Sequence, residues 1–467
     1  MADAIRLVVR DVLAGVRPVR LRLPFRFGAA TLTACPQLFV RVTVDVAGHG
    51  TAEGWAAEMM VPKWFDKRAA RSPSDNVAHL AASIGHAADA YRGDAAAAPF
   101  DLFTRHYSAL MQRGAAGGLT ELSAAFGQAV LDRAVIDAAC RSAGVSFFDA
   151  ARHNLLGLAD TPLAPDLRGW DWDGWLARRE PLRRIEARHT VGLLDALTGS
   201  EVGPDGLPAS LRAAIARYGH RRFKVKLGGD PAADLDRLRE VLAVLAAHAP
   251  PGFGFTLDGN EQYGSRAALE ALLAGLRGIA PAPLYLEQPL PREASLAAPL
   301  PDASVALLMD EADGTLASFA QGRDLGWTGV SSKACKGVYK ALLNRARCDA
   351  WNAALPAPRY FMSAEDLTCQ AGLAVQQDLA LVSLLGLTHS ERNGHHYADG
   401  MAACPRAEQQ AFAAAHPDLY ETGAGHPRLR IEAGAIAIDS LFGAGYAHGA
   451  DPDPDSLQPL DASATML

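Results

Sequence analysis

Lysines and acids stand at the ends of short strand-like runs through the middle of this 467-residue chain. In residues 222–227, apolar side chains alternate with Lys224 and Lys226, which therefore share one face of a strand. Later runs end, in order, at Asp258, Glu287, Asp310 and Lys333. The steps between these ends are 23 to 34 residues long, the pitch of a βα unit in an eight-stranded barrel of roughly 250 residues.

Parallel barrel strands place their carboxyl ends on one face, so the three carboxylates and the lysines are expected to converge there. Three carboxylates suit a hard divalent cation, with Mg²⁺ expected and Mn²⁺ as a substitute. A lysine on either side could remove or return a proton next to a carboxylate, and a metal would stabilise the enediolate that forms. Taken alone, Lys224 and Lys226 would also fit a solvated edge strand.

The motifs around these positions are Lys224-x-Lys226, Asp258-x-Asn260, Glu287-Gln-Pro, Asp310-Glu311 and Lys333-x-x-Lys336-Gly. Together they resemble the enolase superfamily, in its muconate lactonizing enzyme subgroup of mandelate racemase/muconate lactonizing enzyme-like proteins. The resemblance covers residues 185–400 well and the N-terminal part more loosely.

The resemblance implies a role for each motif residue. Asp258, Glu287 and Asp310 would hold the metal. Lys226 and Lys333 would be the acid/base pair on opposite faces of the substrate, and Lys224 would lower the proton affinity of Lys226 and contact the substrate carboxylate. Residues implied to support these groups or to bind substrate are Asn260, Glu311, Lys336, Glu365, Asp366, Phe27 and Trp55.

The implied reaction is racemisation or epimerisation, cycloisomerisation or dehydration of a small carboxylic acid, by an isomerase or lyase. Gly337 stands alone before Val338 where the family has two glycines. The expected eighth strand has no Asp-x-Asp, which disfavours a dipeptide substrate, and the seventh ends without histidine, which favours two lysine bases. A Schiff-base lysine lyase and a non-catalytic metal-binding relative are the alternatives.

The expected fold is a (β/α)7β modified TIM barrel with an α+β capping domain. Residues 1–180 would form the N-terminal part of the cap, 181–400 the barrel, and 401–467 a C-terminal segment that completes the cap. Loops at 23–29 and 53–65 are expected to act as lids over the barrel, and residues 451–467 are expected to be frayed.

Histidines outside the motifs receive structural interpretations. His189 is expected to be a satisfied structural histidine in the first barrel strand. His395 and His396 are expected at the surface or behind the site, and not to share a metal, because sequence neighbours in an extended chain point apart.

Composition limits the function classes. Hydrophobic residues make up 49% and charged residues 21%, as in a soluble globular enzyme, and the net charge of −7 argues against a nucleic-acid partner. Six cysteines without a Cys-x-x-Cys motif indicate free thiols in a reducing compartment. With no secretory signal and no long apolar run, we expect a cytoplasmic homo-oligomer without a membrane partner.

Overall fold

The N-terminal part of the chain is built on a meander of three long antiparallel strands. The computed structural model describes residues 4–199, 202–423 and 425–467. The strands are β1 (Leu7–Phe27), β2 (Ala30–Val46) and β3 (Gly50–Met59). Valine, leucine and phenylalanine side chains of one face enter a shared core with the helices that follow, as the alternating pattern predicts.

Five helices follow this sheet: α1 (Pro73–Tyr91), α2 (Pro99–Ala116), α3 (Glu121–Ala143), α4 (Phe147–Arg152) and α5 (Trp172–Ala177). The start of α1 is fixed by a capping box, in which Ser72 and Asp75 each accept the other's backbone N–H. Helix α3 lies against β3, and Gly54 allows the approach, since a Cβ there would lie 2.2 Å from the carbonyl oxygen of Ala134. This sheet and its helices form the α+β cap.

Eight parallel strands then close into a barrel, because the last of them pairs with the first. They are β4 (Arg184–Val191), β5 (Arg222–Lys226), β6 (Gly254–Asp258), β7 (Leu286–Glu287), β8 (Leu307–Met309), β9 (Gly329–Ser332), β10 (Phe361–Ala364) and β11 (His389–Arg392). Seven helices connect them: α6 (Leu211–Tyr218), α7 (Pro231–His248), α8 (Arg266–Leu276), α9 (Arg292–Ser295), α10 (Ser318–Asp324), α11 (Val338–Ala353) and α12 (Leu373–Leu384). The predicted (β/α)7β barrel with an α+β cap is confirmed.

The chain after the barrel contributes to both parts of the molecule. Its elements are α13 (Gly394–Tyr397), α14 (Arg406–Ala415), β12 (Tyr420–Glu421), β13 (Arg428–Leu429), β14 (Ala435–Ala437) and β15 (Gln458–Pro459). β14 adds to the barrel sheet antiparallel to β4, whereas β15 adds to the cap sheet beside β1. The domain limits at residues 180 and 400 remain a prediction.

The prediction that residues 451–467 fray is wrong. β15 pairs with Gly15 and Val16 of β1, and short 3-10 helices at Pro454–Ser456 and Leu460–Thr465 flank it. Proline and aspartate in this tail shape tight turns and do not abolish structure.

A buried ion pair anchors the tail. Both guanidinium Nη atoms of Arg17 donate to the Glu408 carboxylate, at 3.0 and 2.8 Å. The same groups hold the tail, because Arg17 also donates to Ser456 and Glu408 accepts the backbone N–H of Asp453. These long-range bonds were not visible in the local composition on which the prediction rested.

The expected loop at 23–29 is mostly strand. β1 continues to Phe27, and the turn is only at Gly28 and Ala29, so this segment is the tip of a hairpin. The second expected loop, residues 53–65, is also strand in its first part, because β3 continues to Met59. Whether either segment moves as a lid remains a prediction.

Two further expectations concern the whole chain. In the parts of the chain that the structure describes, no helix combines the length and the apolar character needed to span a bilayer. The six cysteines are free, as predicted, and all six are buried.

We predict that Glu408→Gln lowers the free energy of unfolding by about 3 kcal/mol, because it leaves the buried Arg17 guanidinium without its counter-charge. Chemical denaturation measures this loss. The control is Asp89→Asn, which breaks the exposed pair with Arg113 and should change stability little. Equal stability of the two variants would contradict an anchored tail.

Candidate active site

Strand β5 carries two lysines into the barrel. Phe223 and Val225 point outward, into a hydrophobic cluster with Leu238 of α7. Lys224 and Lys226 point the opposite way, and both ammonium groups lie among carboxylates at the end of the barrel where the strands' carboxyl ends meet, here called the mouth. The interpretation of β5 as a solvated edge strand is therefore wrong, since both lysines are buried and β5 pairs on both sides.

Four carboxylates surround the ammonium of Lys224. Its Nζ lies 2.9 Å from Asp258, 2.7 Å from Glu287, 2.7 Å from Glu365 and 2.9 Å from Glu391. Burial lowers the pKa of Lys224, but these four negative charges outweigh it and hold the pKa well above the ordinary value. Lys224 is thus a fixed positive charge at the centre of the mouth.

Two lysine–aspartate pairs stand at separate places in the strand ring. Lys226 Nζ donates to Asp258 at 2.6 Å, and Lys333 Nζ donates to Asp310 at 2.7 Å. The strands that carry the two lysines, β5 and β9, are four places apart in an eight-stranded ring. Burial raises the pKa of Asp310, yet Lys333 and then Lys336 lower it far more, so that this carboxylate stays ionised.

Among the described acids of the mouth, Glu287 has the fewest hydrogen-bond partners. It pairs in register with Asp258 of the neighbouring strand, and both its oxygens are buried. Neither oxygen accepts a hydrogen bond from the described residues, although Lys224 Nζ lies 2.7 Å from Oε2. Burial, and next the charges of Asp258 and Glu365, raise the pKa of Glu287 well above its ordinary value.

The donor set at this point fits a hard cation. Besides those of Glu287, the buried oxygens without a hydrogen-bond partner among the described residues include Oδ1 of Asn260 and Oε2 of Glu311, both in the loops that follow acids of the mouth. Carboxylate and amide oxygens are the ligands that Mg²⁺ takes in proteins. Buried oxygens without hydrogen bonds are costly, so a bound cation would stabilise them most.

The backbone around the acids is held in unusual conformations. Asn260 and Gln288, each one or two residues after an acid of the mouth, have positive φ angles of 41° and 33°. The Gln288 amide fastens the next strand end, because its Oε1 accepts the N–H groups of Asp310 and Ala312. This explains why glutamine follows the acid in Glu287-Gln-Pro.

Glu365 belongs to a polar network that crosses the barrel interior. It accepts hydrogen bonds from Lys224, Arg188 and Tyr285, and Ser363 joins the same group. The sequence argument named Glu365 but missed Arg188 and Tyr285. The signal for Arg188 was present, since a charged residue at an inward position of a barrel strand needs a buried counter-charge.

The cap sets one aromatic ring beside each lysine of the two pairs. The ring of Phe25, at the hairpin tip, is centred 5.8 Å from Lys226 Nζ, and the Trp64 ring is 4.4 Å from Lys333 Nζ. The sequence argument instead named two other aromatics. Phe27 lines a cavity of about 550 Å³ beside the mouth. Trp55 of β3 lies in the hydrophobic core, and its backbone N–H donates to Asp137 Oδ2.

The remaining named residues connect the mouth to its surroundings. Asn260 donates to Glu311, and Lys67 of the cap donates to both Glu311 Oε1 and the Asn260 carbonyl oxygen. Lys336 donates to the Asp310 carbonyl oxygen and to Ser331, which itself donates to the Asp310 carboxylate. The structure thus brings these groups together at the mouth and sets Trp55 apart.

Comparisons with known proteins identify the family. A family model described as "Enolase C-terminal domain-like" matches residues 206–451, which is more than half of the chain. The chain belongs to the enolase superfamily. The same family model supports the predicted place of the chain among the mandelate racemase/muconate lactonizing enzyme-like proteins of that superfamily. A search of curated protein sequences finds no match.

Three solved structures illustrate the likeness. An isomerase from Streptomyces coelicolor A3(2) is 19% identical, with 98% of this chain and 97% of that one covered and a TM-score of 0.62. Muconate lactonizing enzyme from Pseudomonas fluorescens, complexed with muconolactone, is 14% identical, with 96% and 98% covered and a TM-score of 0.62. A dipeptide epimerase from Enterococcus faecalis V583, complexed with Mg and the dipeptide L-Leu-L-Tyr, is 12% identical, with 94% and 99% covered and a TM-score of 0.61. At these identities the likeness is one of fold.

The backbone conformation explains why one glycine is enough after Lys336, where the enolase superfamily has two. Gly337 has a φ of 105°, which side chains rarely adopt, where the 3-10 turn Ala334–Lys336 passes into α11. Val338 is already helical, so a second glycine is not needed there.

Asp366, which was expected to support or bind substrate, has its oxygens occupied by the protein. Oδ2 accepts the backbone N–H groups of Asn393 and Gly394, and Oδ1 accepts that of Cys369 and a bond from Arg392. These bonds fix the loop after β11 to the loop after β10.

We predict that Asp366→Asn lowers the free energy of unfolding by about 1–3 kcal/mol, because the amide turns a donor toward N–H groups that need an acceptor. Chemical denaturation gives the value, with Asp324→Asn on the exposed face of α10 as the matched control. An unaltered stability with lost ligand binding would instead indicate that Asp366 binds substrate.

Proposed function

We propose that this chain is an enzyme that removes a proton from the carbon next to a carboxylate. The outcome would be racemisation or epimerisation, cycloisomerisation or dehydration of a small carboxylic acid. The observation that supports this most is the pair of buried lysines on β5 and after β9, four strands apart, with uncompensated carboxylate oxygens in the same mouth. A reaction that takes a proton from one face of a carbon and returns it to the other needs such opposed groups.

Each lysine has a separate role in this proposal. Lys226 and Lys333 exchange protons with the α-carbon from opposite faces. Lys224 keeps its charge and attracts the substrate carboxylate, since its pKa is held high by the surrounding acids. The expectation that Lys224 lowers the proton affinity of Lys226 stays a proposal, and its own carboxylate partners weaken any such repulsion.

Asp258, Glu287 and Asp310 are proposed to hold Mg²⁺, for which Mn²⁺ can substitute. When bound, the cation supplies positive charge that stabilises the enediolate. Asn260 and Lys336 are proposed to hold two of these acids in place, since the Asn260 backbone N–H donates to Asp258 Oδ1 and Lys336 donates to the Asp310 carbonyl oxygen. Glu311 in turn accepts a hydrogen bond from the Asn260 amide. The dipeptide epimerase of similar fold is described as complexed with Mg, which agrees with this assignment.

Side chains around the mouth are proposed to determine substrate specificity. Phe25 and Trp64 limit the space above the two lysines, and Phe27 lines the cavity beside them. Glu365 acts indirectly, because it fixes Lys224 and Arg188. A small carboxylic acid as the sole partner, a homo-oligomeric state and a cytoplasmic location remain predictions.

A Schiff-base mechanism has less support. A Schiff-base lyase needs one reactive lysine and has no use for three carboxylates at the ends of consecutive strands. Asp258, Glu287 and Asp310 stand at the ends of β6, β7 and β8. Borohydride trapping with a keto acid is expected to leave the chain unmodified. A non-catalytic relative is excluded if any acid of the panel below exchanges its α-proton.

We predict that Asp258→Asn, Glu287→Gln and Asp310→Asn each weaken Mg²⁺ binding at least about tenfold, equal to about 1.4 kcal/mol, because each removes one anionic oxygen donor. Isothermal calorimetry measures the affinity, and circular dichroism checks the fold. The matched control is Glu186→Gln, which breaks a partly exposed pair with Arg222 away from the mouth. Unchanged affinity in all three variants would refute the metal site.

We predict that Lys226→Ala and Lys333→Ala lose solvent exchange from opposite enantiomers of the substrate. In deuterated water, proton NMR follows loss of the α-proton over a panel of sugar acids, N-acyl amino acids and aryl carboxylates. Each variant should slow one enantiomer by at least about 100-fold, because it lacks the base on one face only.

The controls for this test are Lys226→Arg and Lys333→Arg. Arginine keeps the positive charge beside Asp258 or Asp310 but is not deprotonated, so it cannot act as the base. The arginine variants should therefore fold and still lose the same enantiomer's exchange. Equal loss of both enantiomers in either alanine variant would point to one base with a supporting cation.

A further inference from the structure

Three histidines that are distant in sequence meet on the outside of the barrel wall. His189 belongs to β4, His220 precedes β5, and His395 belongs to α13. One ring nitrogen of each lies within 4.8 Å of the others, and Nδ1 of His189 is 3.4 Å from Nε2 of His395. We call these three side chains the histidine cluster.

The cluster is separate from the carboxylates of the mouth. Arg188 and Thr190, the neighbours of His189 in β4, bond to Glu365 and Glu391 inside the barrel. Because side chains alternate along a strand, His189 points to the opposite side of the wall. The histidine cluster therefore lies on the outer side of the barrel wall, and the carboxylates of the mouth lie on the inner side.

The rings carry buried nitrogens that the protein leaves unpartnered. His220 is fully buried, and its Nδ1 donates to the Ala187 carbonyl oxygen at 3.2 Å. Its Nε2 must then be the lone-pair nitrogen, and it has no partner among the described residues. In His395, Nε2 faces His189 Nδ1 at hydrogen-bond distance, and Nδ1 is buried without a hydrogen bond in the part of the chain that the structure describes. Unpaired polar atoms in such a place are costly.

The hydrogen bond from His220 Nδ1 to a backbone carbonyl oxygen is also typical of histidines that bind metals. Metal-binding histidines usually donate their second ring nitrogen to a carbonyl or carboxylate, which fixes the tautomer and aims the other nitrogen at the metal. Burial lowers the pKa of His220 to about 4 and those of its two neighbours as well, so the rings stay neutral at pH 7. Neutral imidazole is the form that binds metal.

We propose that His189, His220 and His395 form a second metal site, which takes Zn²⁺ or a related late transition-metal ion. Imidazole nitrogens prefer Zn²⁺, Ni²⁺ and Cu²⁺, whereas the oxygens of the mouth prefer Mg²⁺. Zn–N bonds of 2.0–2.1 Å put tetrahedral ligand atoms about 3.3 Å apart, close to the existing His189–His395 separation of 3.4 Å. His395 is only half-buried, so an ion and a water ligand can reach the site from that side.

The site would act on the cap through α13. The next residues of this helix contact the cap directly: Arg22 of β1 donates to the His396 carbonyl oxygen, and Tyr397 stacks on Phe25 at 4.2 Å. Phe25 is the ring beside Lys226. A metal that joins β4, the start of β5 and α13 would therefore hold the hairpin tip in place over one lysine, as a structural ion.

The test is metal binding to the full-length chain without added affinity histidines. Zn²⁺ is titrated by calorimetry in excess Mg²⁺, and Co²⁺ is followed by its visible absorption. We expect one Zn²⁺ per chain, a tetrahedral Co²⁺ spectrum and a Zn²⁺-dependent rise in Tm. His220→Asn and His395→Gln should each weaken binding at least about 100-fold, because loss of a ligand exceeds loss of an outer hydrogen bond.

Two further variants separate this site from other sources of binding. His49→Gln, at an exposed turn, should bind Zn²⁺ like the unaltered protein. Asp258→Asn should also keep the Zn²⁺ site, since it alters only the mouth, so failure of the proposed function leaves this result intact. Zn²⁺ binding that persists in a correctly folded His395→Gln variant, or no Zn²⁺ or Co²⁺ binding by the unaltered protein, would overturn the proposal.

Discussion

The burial of one ammonium group, that of Lys224, sets the condition that the rest of the barrel must meet. A charge removed from water costs several kcal/mol unless opposite charges surround it. Here the partners come from four different strands or strand ends, β6, β7, β10 and β11. No smaller part of the barrel supplies them all, so pairing of Lys224 favours complete closure of the ring over any partly formed sheet.

Much of this arrangement could be predicted from the sequence, because it depends on local periodicity. Alternation put Lys224 and Lys226 on one face of β5, and an acid or lysine stood at the end of each strand from β5 to β9, at the regular pitch of βα units. The family resemblance then selected which of these ends belong to one site. Strand ends are predictable because every parallel barrel turns its carboxyl ends the same way.

Contacts between distant segments could not be predicted in the same way. Trp64, not Trp55, stands beside Lys333, since the choice depends on where β3 ends and how the cap is seated on the barrel. The tail was expected to fray from its proline, aspartate and serine content. That composition gives no sign of the Arg17–Glu408 pair, whose members lie 391 residues apart in sequence. His395 likewise meets His189 only once the ring has closed. The His396 ring lies against His189 as well, at 4.9 Å between ring centroids, because His395 and His396 belong to helix α13 and not to an extended chain.

The pairing of β15 with β1 has a consequence for synthesis of the protein. The edge of β1 that receives Gln458 and Pro459 is made hundreds of residues before its partner. While the barrel is being translated, this edge of the cap has open N–H and C=O groups, the kind of surface that recruits foreign strands. The nascent chain keeps this edge open until β15 has left the ribosome, and removal of β15 by truncation near residue 450 would make that hazard permanent.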